Sequence, residues 1–546
     1  MTGDPFDERR SVQSGAQDGF GGQRPIVITA PRERAYVTRP CIAALALFIA
    51  AIASSPVQAQ TGGRMPIGTN VSGLDDWSVE FTFVDAFKQS RPWFSGSATA
   101  WEDQRPLDLD EHGWVRSLLP GQVARTLMFW DLSRTPGQYP AGNYTVTYEG
   151  EGQIEYGPSA RVIERAPGRD VIDVDPARGG GIGLFLTATN PSNYIRHLHV
   201  TMPGRSAAER FNPTFVERLG NFRAIRFMNW MLGQTNNNIM QSHWSERPVP
   251  DDARWTSRGV PVEIMVELAN QLHADPWFTI PHLADDDYVR RFAQIVAEQL
   301  DPTLKVYVEH SNEVWNGGYP QARYAQQRGL ELGLSANPSE AQIRYHALRS
   351  REIFGIFEEV FPAERLVRVL GSAAAVPAAT QTAVSFRDTR AHTDAIAIAP
   401  YFGIPATDLA RVRSMTVDDL LRELEATSVP AVMNQVRQHV AIGRQQQLPV
   451  IAYEGGQHLV TWGAGPLQGD PRLEALFDAV NRDPRFGALY SRYLQNWADA
   501  GGGLFMHYMN CNVYGLFGRF GSLEYLDQPR TDAPKYDALQ RWMEGR

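Results

Sequence analysis

The sequence predicts an α/β protein whose larger part is a (β/α)8 barrel of the TIM type, with an additional β-sandwich near the N-terminus. Three observations carry this. After Phe211, short apolar runs alternate with amphipathic stretches in a repeating strand, loop, helix rhythm. Between Phe94 and Pro203 the pattern is instead one of short alternating runs split by Gly and Pro. Lone polar groups stand at the C-terminal ends of several later runs, the side of a barrel where chemistry is built. A length of 546 residues accommodates a barrel of roughly 250 residues and a further module of about 100.

Residues 1–40 are polar, rich in Gly and Arg, and show no apolar period. The apolar run Cys41–Ala53 follows Arg34 and Arg39 and precedes Val57-Gln58-Ala59. It is shorter than the ~20 residues of a comfortable membrane span, and small residues occupy the two positions a signal peptidase reads. The expectation is a secretory signal cleaved after Ala59, which places the mature protein in the periplasm or the medium with no stable membrane insertion. A short membrane anchor is the alternative reading. The long leader also fits a translation start nearer Val37.

The strand Ile67–Val71 leads into a loop and a helix ending near Trp93. The runs Tyr144–Tyr148, Gly183–Ala188 and Ile195–Val200 are typical of the sandwich, and Pro136-Gly137 and Gly179–Gly181 are among its breaks. Seven barrel strands are then expected at Ala224–Phe227, Pro276–Ile280, Lys305–Glu309, Val367–Leu370, Ala395–Ile398, Pro449–Tyr453 and Gly503–His507. A barrel needs eight. Ile67–Val71 supplies the missing one if the sandwich is inserted after it; otherwise the sandwich is free and one strand is hidden. The insertion divides the chain into a leader and signal (1–59), a first barrel strand and connection (60–93), a sandwich (94–205) and the rest of the barrel (206–546). No glycine-rich dinucleotide turn and no phosphate-binding loop is present. Asp285–Asp287 precede an amphipathic run and read as a helix start rather than a metal site.

The formal net charge is -9, only Lys88, Lys305 and Lys535 are lysines, and no basic run occurs, so nucleic acid is an unsuitable partner. With Cys41 in the leader, Cys511 is alone, so no disulfide framework holds the mature chain. A packed core must do that, and a monomer is expected. His197 and His199 share a strand face without a third ligand nearby; no metal and no cofactor are expected. Asn143-Tyr-Thr145 fits a glycosylation acceptor only as a short pattern.

The candidate chemistry sits in two segments. A β-branched strand runs into Asn312-Glu313, followed by Trp315 and Asn316. A second apolar strand ends in Glu454, followed by two glycines that allow a sharp turn. Two carboxylates on one barrel face suit glycosidic bond cleavage: one protonates the departing oxygen while the other attacks the anomeric carbon. Trp93, Trp101, Trp230, Trp244, Trp255, Trp315 and Trp462 stand in polar, loop-like contexts, and flat rings stack on pyranose faces. A carbohydrate partner fits both features.

Asn312-Glu313 at the end of the fourth strand and Glu454 at the end of the seventh resemble the signature of glycoside hydrolase clan A, the cellulase-like retaining glycosidases. The resemblance covers roughly residues 66–77 and 211–546. It implies that Glu313 is acid/base, Glu454 is nucleophile and Asn312 binds the sugar 2-hydroxyl. It further implies that Arg226, ending the second strand, keeps the nucleophile ionised, and that Tyr401, ending the sixth, donates to it. His282 and His507, ending the third and eighth strands, are further candidates for substrate binding, as are Trp315 and Asn316. Many clan members place a tryptophan at the end of the eighth strand, where this chain has His507 and Tyr508. Gly68–Ser78 and Glu313–Asn316 also resemble bacterial proteins labelled cellulose-binding. A carbohydrate-binding barrel without catalysis, and a transglycosylase using the same residues, are the competing readings. The glycan itself is left open.

Overall fold

Eight parallel strands close into a ring, each paired with the next and the last with the first. The computed structural model describes residues 64–130, 132, 139–232 and 241–546. The strands are β1 (Ile67–Asn70), β2 (Ala224–Arg226), β3 (Asp275–Ile280), β4 (Val306–His310), β5 (Leu366–Gly371), β6 (Ala395–Ile398), β7 (Val450–Ala452) and β8 (Gly502–His507). All seven expected after Phe211 are present within a residue or two. Closure is made by β1, which pairs with β2 through Thr69 and Asn70 and with β8 through Ile67, Gly68 and Thr69.

The period of two along each strand sorts side chains into two layers. Ala224, Trp277, Tyr307, Val369, Ala395, Ala397, Ile451, Leu504 and Met506 fill the ring. Small residues on β6 offset the bulk of Trp277 and Tyr307, whose rings stack at 5.2 Å. Gly68 makes room for Met506: a β-carbon there would lie 2.3 Å from the Met506 sulfur. The alternate residues of the same strands face the helix layer, which includes Val262–Leu272, Asp286–Gln299, Pro338–Glu358, Val429–Gln446 and Pro484–Asp499. Asp285 caps its helix by accepting from the Tyr288 N–H, so the acidic triplet is a helix start.

Between β1 and β2 the chain forms two four-stranded antiparallel sheets. One orders Phe94–Gly96, Val123–Met128, Ile182–Thr189 and Gly152–Pro158; the other orders Arg196–Thr201, Gly142–Glu149, Arg169–Val174 and Ala160–Ala166. Their buried side chains, among them Ala124, Tyr144, Ile172 and Leu184, belong to the same hydrophobic cluster as the barrel's helix layer. His199 Nδ1 hydrogen-bonds to the Asp85 carboxylate at 2.8 Å and His197 packs beside Trp114. Cys511 is a buried free thiol.

The expected signal lies outside the described residues. No helix among the described residues is long and apolar enough to cross a membrane.

Candidate active site

A cleft of about 590 Å³ opens where the strands end, and Asn312, Glu313, Trp315, Asn316, Tyr401 and Glu454 all line it. Beneath it lies Arg226. Ala224 points into the ring, so two residues later Arg226 does too, and its side chain has no exposed surface. Burying a guanidinium is costly unless its charge and its five donors are matched. Here they are. Nε and Nη2 donate to Glu309 at 3.1 and 2.9 Å; Nη1 donates to Asn70 at 3.1 Å and to Glu454 at 2.7 Å; Nη2 also donates to Asn312 at 2.8 Å. Trp277 and Tyr453 flank the cation, with ring centres 5.7 and 5.0 Å away.

Glu454 stands just past β7. Its second oxygen accepts from the Tyr401 hydroxyl at 2.9 Å. The two glycines behind it have a steric reason to be there. A β-carbon on Gly455 would come within 2.7 Å of the Phe505 ring, and Gly456 has φ +138° with Tyr490 Oη 2.3 Å from where a β-carbon would be. Burial raises the Glu454 carboxyl, while the charge of Arg226 and the bonds from Tyr401 and Arg226 oppose that rise. Burial by itself would weaken Arg226 as a cation, yet Glu309 and Glu454 hold its pKa above the usual arginine value.

Glu313 is set differently. Its backbone has φ +47°, and Ser311 two residues earlier has φ +56°. Such a left-handed conformation costs a non-glycine residue of order 1–3 kcal/mol and persists only where the surroundings impose it. They do: Ser311 N–H donates to Ile280 O at 2.8 Å, Gln321 Nε2 to Asn312 O at 2.7 Å, and Asn316 N–H to Glu313 O at 2.8 Å. The carboxyl itself accepts from Asn316 Nδ2 at 2.9 Å and from Tyr453 Oη at 3.3 Å, with no cation in contact. Burial pushes it up to about 7, and the Glu454 charge acts in the same direction.

The structure thus brings six of the predicted residues into one cleft and places Arg226 directly below. It does not bring in His282 and His507. Leu504 and Met506 point into the ring, so His507 points out of it, where it meets the Tyr490 hydroxyl at 3.2 Å. Burial there lowers its pKa to about 3. The next residue, Tyr508, lines the cleft instead. His282 is buried edge-on against Tyr324, and burial lowers its pKa to about 4. Among the tryptophans, Trp230 and Trp255 are buried in the core, Trp315 lines the cleft, and Trp101 and Trp462 are exposed.

Sequence reasoning missed Glu309, Asn70, Tyr453, His458 and Phe520. Strand parity was a usable signal for the first: Tyr307 is an interior residue, so Glu309 must be one also. Tyr453 is legible by the same rule from Ile451. Tyr401, His458, Tyr508 and Phe520 form a connected set of rings along one wall, with centroids 5.4–6.4 Å apart. They come from three separate loops, which no local pattern joins.

No family model matches the chain, and no curated protein does. Solved structures similar to it include a 4-O-α-L-rhamnosyl-β-D-glucuronidase from Fusarium oxysporum 12S, at TM-score 0.36 and 12% identity, covering 61% of this chain and 65% of that one. An endo-1,4-β-D-mannanase from Thermotoga petrophila RKU-1 is similar at TM-score 0.33 and 12% identity, covering 61% of this chain and 94% of that one. A broad-specificity endoglucanase from Clostridium acetobutylicum is similar at TM-score 0.34 and 11% identity, covering 62% and 91%. By their names all three are glycosidases. This chain spans just under two thirds of the length of the first.

Proposed function

We propose that this protein is an exported retaining glycoside hydrolase that cleaves β-glycosidic bonds by double displacement. The observation that carries the reading is the unequal setting of two buried carboxyls in one cleft. Glu454 touches a cation and a hydroxyl donor, whereas Glu313 touches neither a cation nor a second strong donor. A single proton shared between them therefore resides on Glu313, leaving Glu454 charged.

In the first step Glu454 attacks the anomeric carbon as the bond from that carbon to the departing oxygen breaks. The Glu313 proton goes to that oxygen, and a covalent glycosyl ester forms on Glu454. In the second step Glu313, now ionised, takes a proton from water. The resulting hydroxide equivalent displaces Glu454 and restores both groups. Arg226 holds Glu454 ionised between turnovers and receives it back as a leaving group. Asn312 spends its amide oxygen on Arg226, so its amide N–H groups are what it offers a sugar hydroxyl. The activity is expected to fall above about pH 7, as Glu313 loses its proton.

The test is a glycan hydrolysis screen of residues 60–546 beside the Glu313→Gln/Glu454→Gln double variant. Reducing ends released by the wild type alone support the reading and name the glycan. Binding by both proteins with release by neither overturns it in favour of a carbohydrate-binding barrel. Products longer than the substrate would instead indicate transglycosylation.

A further inference from the structure

Two exposed aromatic rings stand on the loops that also supply His458, Tyr508 and Phe520 to the cleft wall. Trp462 follows β7 and Phe517 follows β8; they are 57% and 68% exposed, with ring centroids 5.0 Å apart. Single exposed apolar residues are ordinary, but a contacting pair of large rings facing water is a patch. Each is close along the chain to a residue of the cleft wall: Trp462 to His458, and Phe517 to Phe520.

The two loops share one anchor. Glu474, on the helix Pro471–Arg482, accepts from the Thr461 hydroxyl with one oxygen and from Arg519 Nη2 with the other, both at 2.5 Å. Thr461 adjoins Trp462, and Arg519 lies two residues from Phe517. Arg519 is fully buried and also meets Asp478 at 2.6 Å, while its carbonyl accepts from Gln457 Nε2 at 2.6 Å and from Lys535. Rings held by such a shared anchor lose little freedom on meeting a ligand.

The chemistry of the patch selects its occupant. Residues 455–469 and 508–518 contain no Asp, Glu, Lys or Arg, and the cleft wall carries only Glu313 and Glu454 of those types. The arginines that border these loops are already paired, Arg413 with Asp470 and Arg482 with Glu524, so neither segment offers a free partner of its own to a carboxylate or a phosphate. The ring planes meet at 44°, so the two rings cannot both lie on one flat crystalline face.

We propose that Trp462 and Phe517 form an outlying sugar-stacking subsite for a single neutral glycan chain several units long, continuous with the cleft between Glu313 and Glu454. This deepens the glycosidase reading and rests on it. The experiment measures kcat/KM on cello-, manno- and xylo-oligosaccharides of two to six units for the wild type, Trp462→Ala, Phe517→Ala and the surface control Ile163→Ala. The expected result is that the ratio of six-unit to two-unit kcat/KM falls about tenfold in each ring variant, mostly through KM, as one lost stacking contact predicts. The control keeps the wild-type ratio. A ratio unchanged in both ring variants overturns the subsite. If the wild type cleaves nothing, the glycosidase reading fails, and calorimetry with the same six-unit sugars decides the subsite. Binding weakened about tenfold by either substitution supports it, and equal binding or none overturns it.

Discussion

Arg226 and Arg519 are both completely buried, and each bridges two carboxylates. They differ in what those carboxylates face. The partners of Arg226, Glu309 and Glu454, are 2% and 7% exposed; those of Arg519, Glu474 and Asp478, are 20% and 27% exposed. Water can replace Arg519 for its partners but cannot replace Arg226. The first arginine sets the charge state of the group beside it, and the second fixes where two loops lie. Under the proposed function, the same ion pair chemistry serves reactivity in one place and geometry in the other.

The sharpest separation comes from the carboxylates. Glu454→Ala should lower kcat by more than about 10⁴-fold, because a nucleophile and its proton donor act as a unit. Azide should restore part of the turnover and yield an inverted glycosyl azide, seen by NMR of the product. No rescue would remove the nucleophile assignment. Glu474→Gln, its counterpart at the other hub, should affect chain-length preference and leave cleavage of the bond itself intact.

Next in size are the arginines themselves. Arg226→Met leaves Glu309 and Glu454 buried without a cation and should cost about 3–5 kcal/mol in urea unfolding. Glu454, already raised by burial, should then titrate higher still, moving the acid limb of kcat/KM upward. Arg519→Met should cost only about 1–3 kcal/mol, since its partners gain water, with no shift in either pH limb. A shifted acid limb in Arg519→Met would erase the distinction between the two hubs.

Glu313 belongs to neither hub, and Glu313→Ala tests what the lack of a cation does. It should slow poor leaving groups by about 10²–10⁴-fold and spare 2,4-dinitrophenyl glycosides in the first step. Equal losses on both would count against its role as proton donor.

These contrasts were only partly readable beforehand. The strands of the barrel are short apolar runs alternating with amphipathic stretches, and Glu313 and Glu454 are conspicuous because apolar strands end in them. Arg226 was read as a partner of Glu454, but Glu309, its other carboxylate, was missed although strand parity carries the signal. Its place depends on which face of β4 turns inward, and one residue of parity decides that. The same parity sends His507 outward and makes Tyr508 the cleft residue. Arg519 and Glu474 meet across a loop and a helix, and no spacing within either segment announces the contact.

A further predicted effect concerns stability against pH. Glu313 titrates near 4.5 when unfolded and at about 7 when folded. Its uncharged form therefore favours folding fully below about pH 4.5, and that contribution is lost as pH rises through about 7. Glu80, buried and bonded to Asn510 Nδ2 at 2.7 Å, is raised to about 7 by burial and acts in the same window. Glu313→Gln should thus be the more stable protein at pH 8, by about 2–3 kcal/mol, and lose that advantage by pH 4. Unfolding curves of both proteins at the two pH values would measure the difference.

The closure of the ring through β1 and β8 has a consequence in time. Ile67 pairs with Phe505, so β1 finds its second neighbour only when β8 emerges from the ribosome. The two four-stranded sheets between β1 and β2 have all their pairings within 94–201 and need not wait. During synthesis they assemble early on local contacts, while β1 is left with an unpaired edge until nearly the whole chain is present. Arg226 receives its Glu454 late as well, so the charge pattern beneath the cleft is among the last things the growing chain acquires.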